Sequence, residues 1–278
     1  MKKIITVLLL CLAIFSFAGC TDPQISPSEL YETAVANMQT TSCFSYTAKI
    51  ASDIDFGDEL SQKINKLYLS SLKSLRVVSN GYVDNKELKT FSEGTISPTL
   101  ASVDFACTTS SNGIYLNIPE ISDNIYNFTA KNISPSDIVS LISALDMPLT
   151  DSDIDAKKIK YYADGEILDA HRLTVSLSSS KFKEYITVAC NDMPNIQQYL
   201  TSDEGDILFS NVKYTAVIAN GVFMQVSLYA DFECVGVYKD YVVSGKIDSY
   251  TNFSEFNVHK EVTIPSEFVD AEDAGNIK

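Results

Sequence analysis

Apolar positions change period several times along this chain, and each change marks an element. Between Ser26 and Thr40, Leu30, Ala34 and Met38 recur on one side with Tyr31 and Val35 beside them, which is the spacing of a helix buried along one stripe. Ser26 as cap, Pro27 at the first helical position and Glu29 completing a Ser-x-x-Glu box mark where it starts. The period then falls to two. Phe44, Tyr46, Ala48, Ile50, Ile54 and Phe56 alternate with Ser45, Thr47, Lys49, Asp53 and Asp55, predicting a long strand with one dry and one wet face. Leu60, Ile64, Leu67, Ser71 and Leu75 return to helical spacing and predict a second helix over 58–72.

Farther on, Asn80-Gly81, Asn112-Gly113 and Asn220-Gly221 each stand between strand-like residues and predict tight hairpin turns, because both positions tolerate positive φ. Ser134 and Pro135 open a third helix lined by Ile138, Leu141, Ile142 and Leu145. "HRLTVSL" reads as a strand. Phe182, Tyr185, Ile186 and Ala189 predict a fourth helix over 180–190, although "YITVAC" also fits a strand. From Ile207 onward nearly everything is strand, led by a hairpin with Val222, Met224, Val226 and Leu228 on one face and Phe223, Gln225, Ser227 and Tyr229 on the other.

So many strands need helices or a second sheet over their dry face. The expected fold class is α+β, a large curved antiparallel sheet, or half-barrel, with a few helices packed on its concave face. Residues 27–270 are expected to form one domain. Two helix-and-strand cycles divide it at about residues 27–130 and 131–270, with too little residue identity to be a repeat, and residues 271–278 form a polar tail.

The N-terminus adds an address. Lys2 and Lys3 precede an apolar run from Ile4 to Phe17, shorter than the roughly 20 residues a spanning helix needs, and small residues follow. Residues 1–19 are therefore expected to be a signal peptide cut between Gly19 and Cys20, and residues 20–26 a polar tether. The junction "FAGC" resembles the lipobox of bacterial lipoproteins, with Phe17 where leucine is usual. That resemblance implies a diacylglycerol on the Cys20 thiol, hence attachment to a membrane on the extracytoplasmic side of a bacterial cell envelope.

Cleavage removes two of the 21 basic residues and none of the 36 acidic ones, so the mature charge is −17. Such a field repels nucleic acid, which is excluded as a partner. Of the six cysteines, Cys43, Cys107, Cys190 and Cys234 remain after Cys11 and Cys20 are set aside. Their even number permits two disulfides, and burial as small apolar side chains is the other use. No metal-ligand spacing, nucleophile elbow, phosphate loop or dinucleotide fingerprint occurs. His171 and His259 read as sheet-surface side chains, and Asp151, Asp153 and Asp155 as a solvated loop, since a calcium-binding EF-hand needs a central glycine and a terminal glutamate. No catalytic residue, metal or cofactor is assigned, and an enzyme is not expected.

The lipobox, the capped helix "ELYETAVANMQ", the long strand "FSYTAKIASDIDF", "GIYLNIP" and the late "VTIPSEF" together resemble bacterial lipoproteins of the LolA-like superfamily. The resemblance implies a half-barrel that carries a lipid or other hydrophobic ligand, without pointing to individual ligand-binding residues. The alternative is a structural or protein-interaction component of the envelope with no small-molecule ligand and unknown protein partners. A hydrolase assembled from distant residues is a third class.

Overall fold

The computed structural model describes residues 25–58, 73–99, 101–110, 113–120, 126–128, 147–189, 206–238, 241–261 and 272–273. The expected signal peptide, Gly19, Cys20, most of the 58–72 helix, the helix opening at Ser134, Cys190 and Val262 to Phe268 lie outside them.

Helix α1 (Pro27–Thr40) begins where its cap chemistry places it. Ser26 Oγ accepts a hydrogen bond from Glu29 N at 3.2 Å, and Asp151 Oδ1 accepts from Ser28 N at 2.8 Å. A carboxylate at this end also meets the positive end of the helix dipole. Tyr31, Ala34 and Met38 form the buried stripe.

The described strands join one open sheet. In chain order they are β1 (Cys43–Asp55), β2 (Ser74–Asp84), β3 (Lys89–Pro98), β4 (Val103–Ser110), β5 (Gly113–Asn117), β6 (Tyr126–Phe128), β7 (Ile154–Ala163), β8 (Glu166–Ser176), β9 (Asp206–Ala219), β10 (Val222–Tyr238), β11 (Tyr241–Ser254) and β12 (Glu272–Asp273). Across the sheet the order is β12-β6-β5-β4-β3-β2-β1-β11-β10-β9-β8-β7. Every pair is antiparallel except β12 with β6, where the expected polar tail adds two residues of strand. The joint between the two cycles is β1 against β11, with Tyr46 opposite Phe253, so one sheet runs through both.

Helix α2 (Ser179–Ala189) settles the ambiguous fourth segment as helical. It buries Phe182 and Tyr185, and the Phe182 ring stands edge-on to Phe209 of β9 at 4.9 Å. Tyr31 of α1 meets Tyr214 at 6.3 Å and Phe223 at 5.5 Å, also edge-on. Both helices therefore share one core cluster and lie on the same face of the sheet, with Leu173, Val175, Ala216 and Phe253 beneath them. No helix among the described residues is long and apolar enough to cross a membrane.

The other face is not uniformly wet. Ala170, Val217, Ala219 and Met224 form a second buried cluster, flanked by Ile159, Tyr161 and Leu168. A bulge between Phe223 and Gln225 creates part of it. The extra residue breaks the two-residue alternation, so Phe223 and Val226 enter the main core while Met224 serves the second cluster. A simple one-sided hairpin was expected here, and the bulge corrects it.

One of the three Asn-Gly expectations changes. Asn220-Gly221 is the turn expected, with φ of 53° and 74° between the paired Ala219 and Val222. Asn80-Gly81 instead lies inside β2. A Cβ on Gly81 would fall 2.2 Å from Cζ of Tyr46, so the glycine makes room for that ring to cross the sheet. At the third, β4 and β5 pair antiparallel with Ser110 opposite Gly113, and Asn112 lies outside the described residues. Cys43, Cys107 and Cys234 are free thiols, and the two disulfides are not formed among them.

Candidate functional site

A groove of about 350 Å³ opens at the end of the sheet where α1 finishes. Its floor is Ala163, Leu168, Val222, Met224 and Phe256, continuous with the second apolar cluster. Two hairpins supply most of it. The β9–β10 turn is Asn220-Gly221, and the β7–β8 turn is Asp164-Gly165, with φ of 51° and 85° between the paired Ala163 and Glu166. Asp-Gly carries the same positive-φ tolerance as Asn-Gly.

Hydrogen bonds fix the walls to one another. Asn37 Nδ2 of α1 donates to Gly221 O at 2.8 Å, and Thr41 Oγ1 donates to Asn37 O at 2.7 Å. Behind β11, Ser42 Oγ donates to Asn257 Oδ1 at 2.8 Å, while Asn257 N donates to Cys43 O at 2.8 Å. These ties seat Phe256, whose ring also packs 6.3 Å from that of Phe44 in the main core. The rim is polar, formed by Thr41, Asp164, Glu166, Asn220 and Asn257. Its two charges are both negative. Burial first, then Tyr250 and Asp164, raise the Tyr161 hydroxyl beside it. An apolar floor under a few polar groups is the usual form of a small-ligand site, and its volume falls at the lower end of the roughly 300–1,000 Å³ such sites span.

On the helix-bearing face of the same β7–β8 hairpin, Tyr162 and Ile167 are direct cross-strand partners and stay 71% and 69% exposed. One hairpin thus lines the groove on one side and presents bare apolar surface on the other.

A wider groove of about 480 Å³ lies at the opposite end of the long strands, with Phe232 and Ile54 among carboxylates. Asp53 is paired with Arg76 at 2.8 Å and Lys246 at 3.2 Å, which hold its carboxyl down to about 2. Asp231 accepts from Asn211 Nδ2 and from the Tyr229 hydroxyl, each at 2.6 Å, and is lowered too. A general acid needs a raised value. These two carboxylates are set the other way.

The three aspartates considered for calcium have structural partners. Asp151 caps α1, Asp153 takes Lys181 Nζ at 2.7 Å, and Asp155 pairs with Lys157 at 3.0 Å. His171 sits in β8 opposite Lys158, as a sheet residue should, whereas His259 lies beyond β11 in no strand. Cys20 and Gly19 fall outside the described residues. The groove was not legible in the sequence, since its floor comes from three separate stretches of the chain; the Asp164-Gly165 turn was the signal available.

No family profile and no curated protein matches the chain. Among solved structures, it is similar to a beta-barrel-like protein of the domain of unknown function DUF1849 from Brucella abortus. The two share 8% identity over 77% of this chain and 100% of that one, with a TM-score of 0.26. A likeness that distant carries no functional argument.

Proposed function

We propose that this chain is a lipid-anchored lipoprotein of the bacterial cell envelope that binds an apolar ligand without chemically changing it. In this reading Cys20 carries the anchor, the sheet is a half-barrel, and the face bearing α1 and α2 is its concave side. The observation that carries the binding role is the apolar-floored groove of about 350 Å³ with a polar rim. Asp164 and Glu166 on that rim disfavour an anionic headgroup, so the ligand class is an apolar chain ending in a neutral or positively charged group.

Native mass spectrometry of the mature chain, before and after organic extraction, tests this. The expected result is a bound apolar molecule, or uptake of a monoacylglycerol or dodecylamine in preference to dodecanoate. Leu168→Gln, on the groove floor, weakens that uptake by about tenfold, the effect of roughly 1.4 kcal/mol. A chain that never carries or takes up an apolar molecule overturns the proposal, as does uptake indifferent to Leu168→Gln.

A second reading, an envelope interaction component, has the exposed pair Tyr162 and Ile167 in its favour. A photo-crosslinker at position 162 that captures nothing in cells removes it.

A further inference from the structure

We propose that Asp84, Glu87 and His259 form a site for a divalent transition-metal cation, zinc foremost, which fastens the segment after β11 to the β2–β3 turn. Each residue offers one ligand atom, and the three atoms lie within 4.8 Å of one another. The residues come from different places: the last position of β2, the four-residue turn that follows, and the chain beyond β11.

Asp84 is the fixed member. Its side chain is only 4% exposed, and its Oδ1 accepts from Lys86 N at 3.0 Å and Glu87 N at 2.9 Å. That leaves Oδ2 facing His259 Nδ1 at 3.3 Å. No hydrogen bond among the described residues ends on Oδ2. A carboxylate this buried is costly to keep charged, and a cation placed between Oδ2 and the imidazole offsets that cost.

The histidine is held in place from both sides. Asn257 N donates to Cys43 O at 2.8 Å and Lys260 N to the Tyr82 hydroxyl at 2.9 Å, while Lys260 Nζ donates to Ser45 Oγ at 3.1 Å and pairs with Glu255. Less freedom is then lost when His259 takes a ligand. Lys89 Nζ stands 2.7 Å from Glu87 Oε2, with Asp84 and Glu261 adding negative charge around it.

Donor chemistry selects the ion. Calcium needs six to eight oxygens, whereas zinc takes imidazole and carboxylate together and accepts three protein ligands plus water. At bonds of about 2 Å, two ligands of one ion stand at most about 4 Å apart. The exposed Glu87 and His259 side chains close the remaining difference by small rotations.

The test titrates the chelator-stripped mature chain with zinc chloride alone, by calorimetry and by the imidazole resonances in NMR. One saturable equivalent is expected, with the His259 resonances shifting as it fills. His259→Ala and Glu87→Gln each weaken binding by more than about tenfold, and Lys89→Met strengthens it by releasing Glu87. Both ligand substitutions fall at exposed side chains, and circular dichroism verifies that the variants stay folded. Absence of a saturable equivalent overturns the proposal, as does unchanged affinity in His259→Ala.

Discussion

Tyr214 shows how a single polar atom can sit against the fold that contains it. Carried by β9, it is fully buried under the helices, and its hydroxyl has no hydrogen-bond partner among the described residues. Burial, and next the nearby Tyr31, push its ionisation well above the ordinary tyrosine value. Removing an unsatisfied buried hydroxyl while keeping the ring relieves a desolvation cost, so Tyr214→Phe is expected to stabilise the chain by about 1 kcal/mol. A urea midpoint that falls in the variant refutes this. At the surface, Asp53 and Asp153 are both lowered to about 2, chiefly by Arg76 and by Lys181 respectively. A lowered carboxylate contributes stability that is fully present above its unfolded value of about 4 and is lost as pH falls toward 2. Melting temperatures are therefore expected to drop between about pH 4 and 2, and Lys181→Met to flatten part of that drop. An identical profile in the variant would show that the pair contributes nothing. Ser26 and Glu29 were legible in the sequence, because they bond to each other within one turn. Asp151 and Asp153 stayed illegible because Ser28 and Lys181 meet them only in three dimensions.

Among the elements, the glycines decide what periodicity left open. Asn80-Gly81 and Asn220-Gly221 are the same dipeptide with opposite fates. In β2 the glycine sits beneath the Tyr46 ring, with Ser92 on the next strand over. At Gly221 it supplies a positive φ. Gly81→Ala is expected to cost about 1–3 kcal/mol by forcing the ring off its place, and Gly81→Ala with Tyr46→Ala to cost less than the two changes summed. Strict additivity in a denaturation cycle would show that the contact is not the cause. Gly245 repeats the device, since its missing Cβ would stand 2.7 Å from Phe232 across the β10–β11 pair. Helices and long strands were legible because their partners are local in the chain. The bulge at Met224 was not, because an extra residue in one strand exists only relative to its neighbour.

For the whole molecule, the anchor and the sheet set two separate questions. Under the proposed anchor, two acyl chains on Cys20 would hold the chain to a membrane where one is marginal, at roughly 0.8 kcal/mol per buried CH₂. Cys20→Ser is accordingly expected to leave the chain uncleaved or free of the membrane, as fractionation of cells would show; a processed variant that still sediments with membranes contradicts the lipid anchor. The groove variant Leu168→Gln tests the other question, and it leaves the N-terminus untouched.

Patterning alone determined the large antiparallel sheet accompanied by helices, the first helix with its cap, the long first strand and the Asn220-Gly221 hairpin, while the address at Cys20 is a proposal that rests on sequence. Each of those depends on residues within a few positions of one another, where spacing and chemistry act directly. Tertiary structure decided the pairing of β1 with β11, the apolar patch on the second face, the groove under Phe256 and the meeting of Asp84 and Glu87 with His259. Those depend on contacts between segments far apart in the chain, which only the register of the sheet brings together.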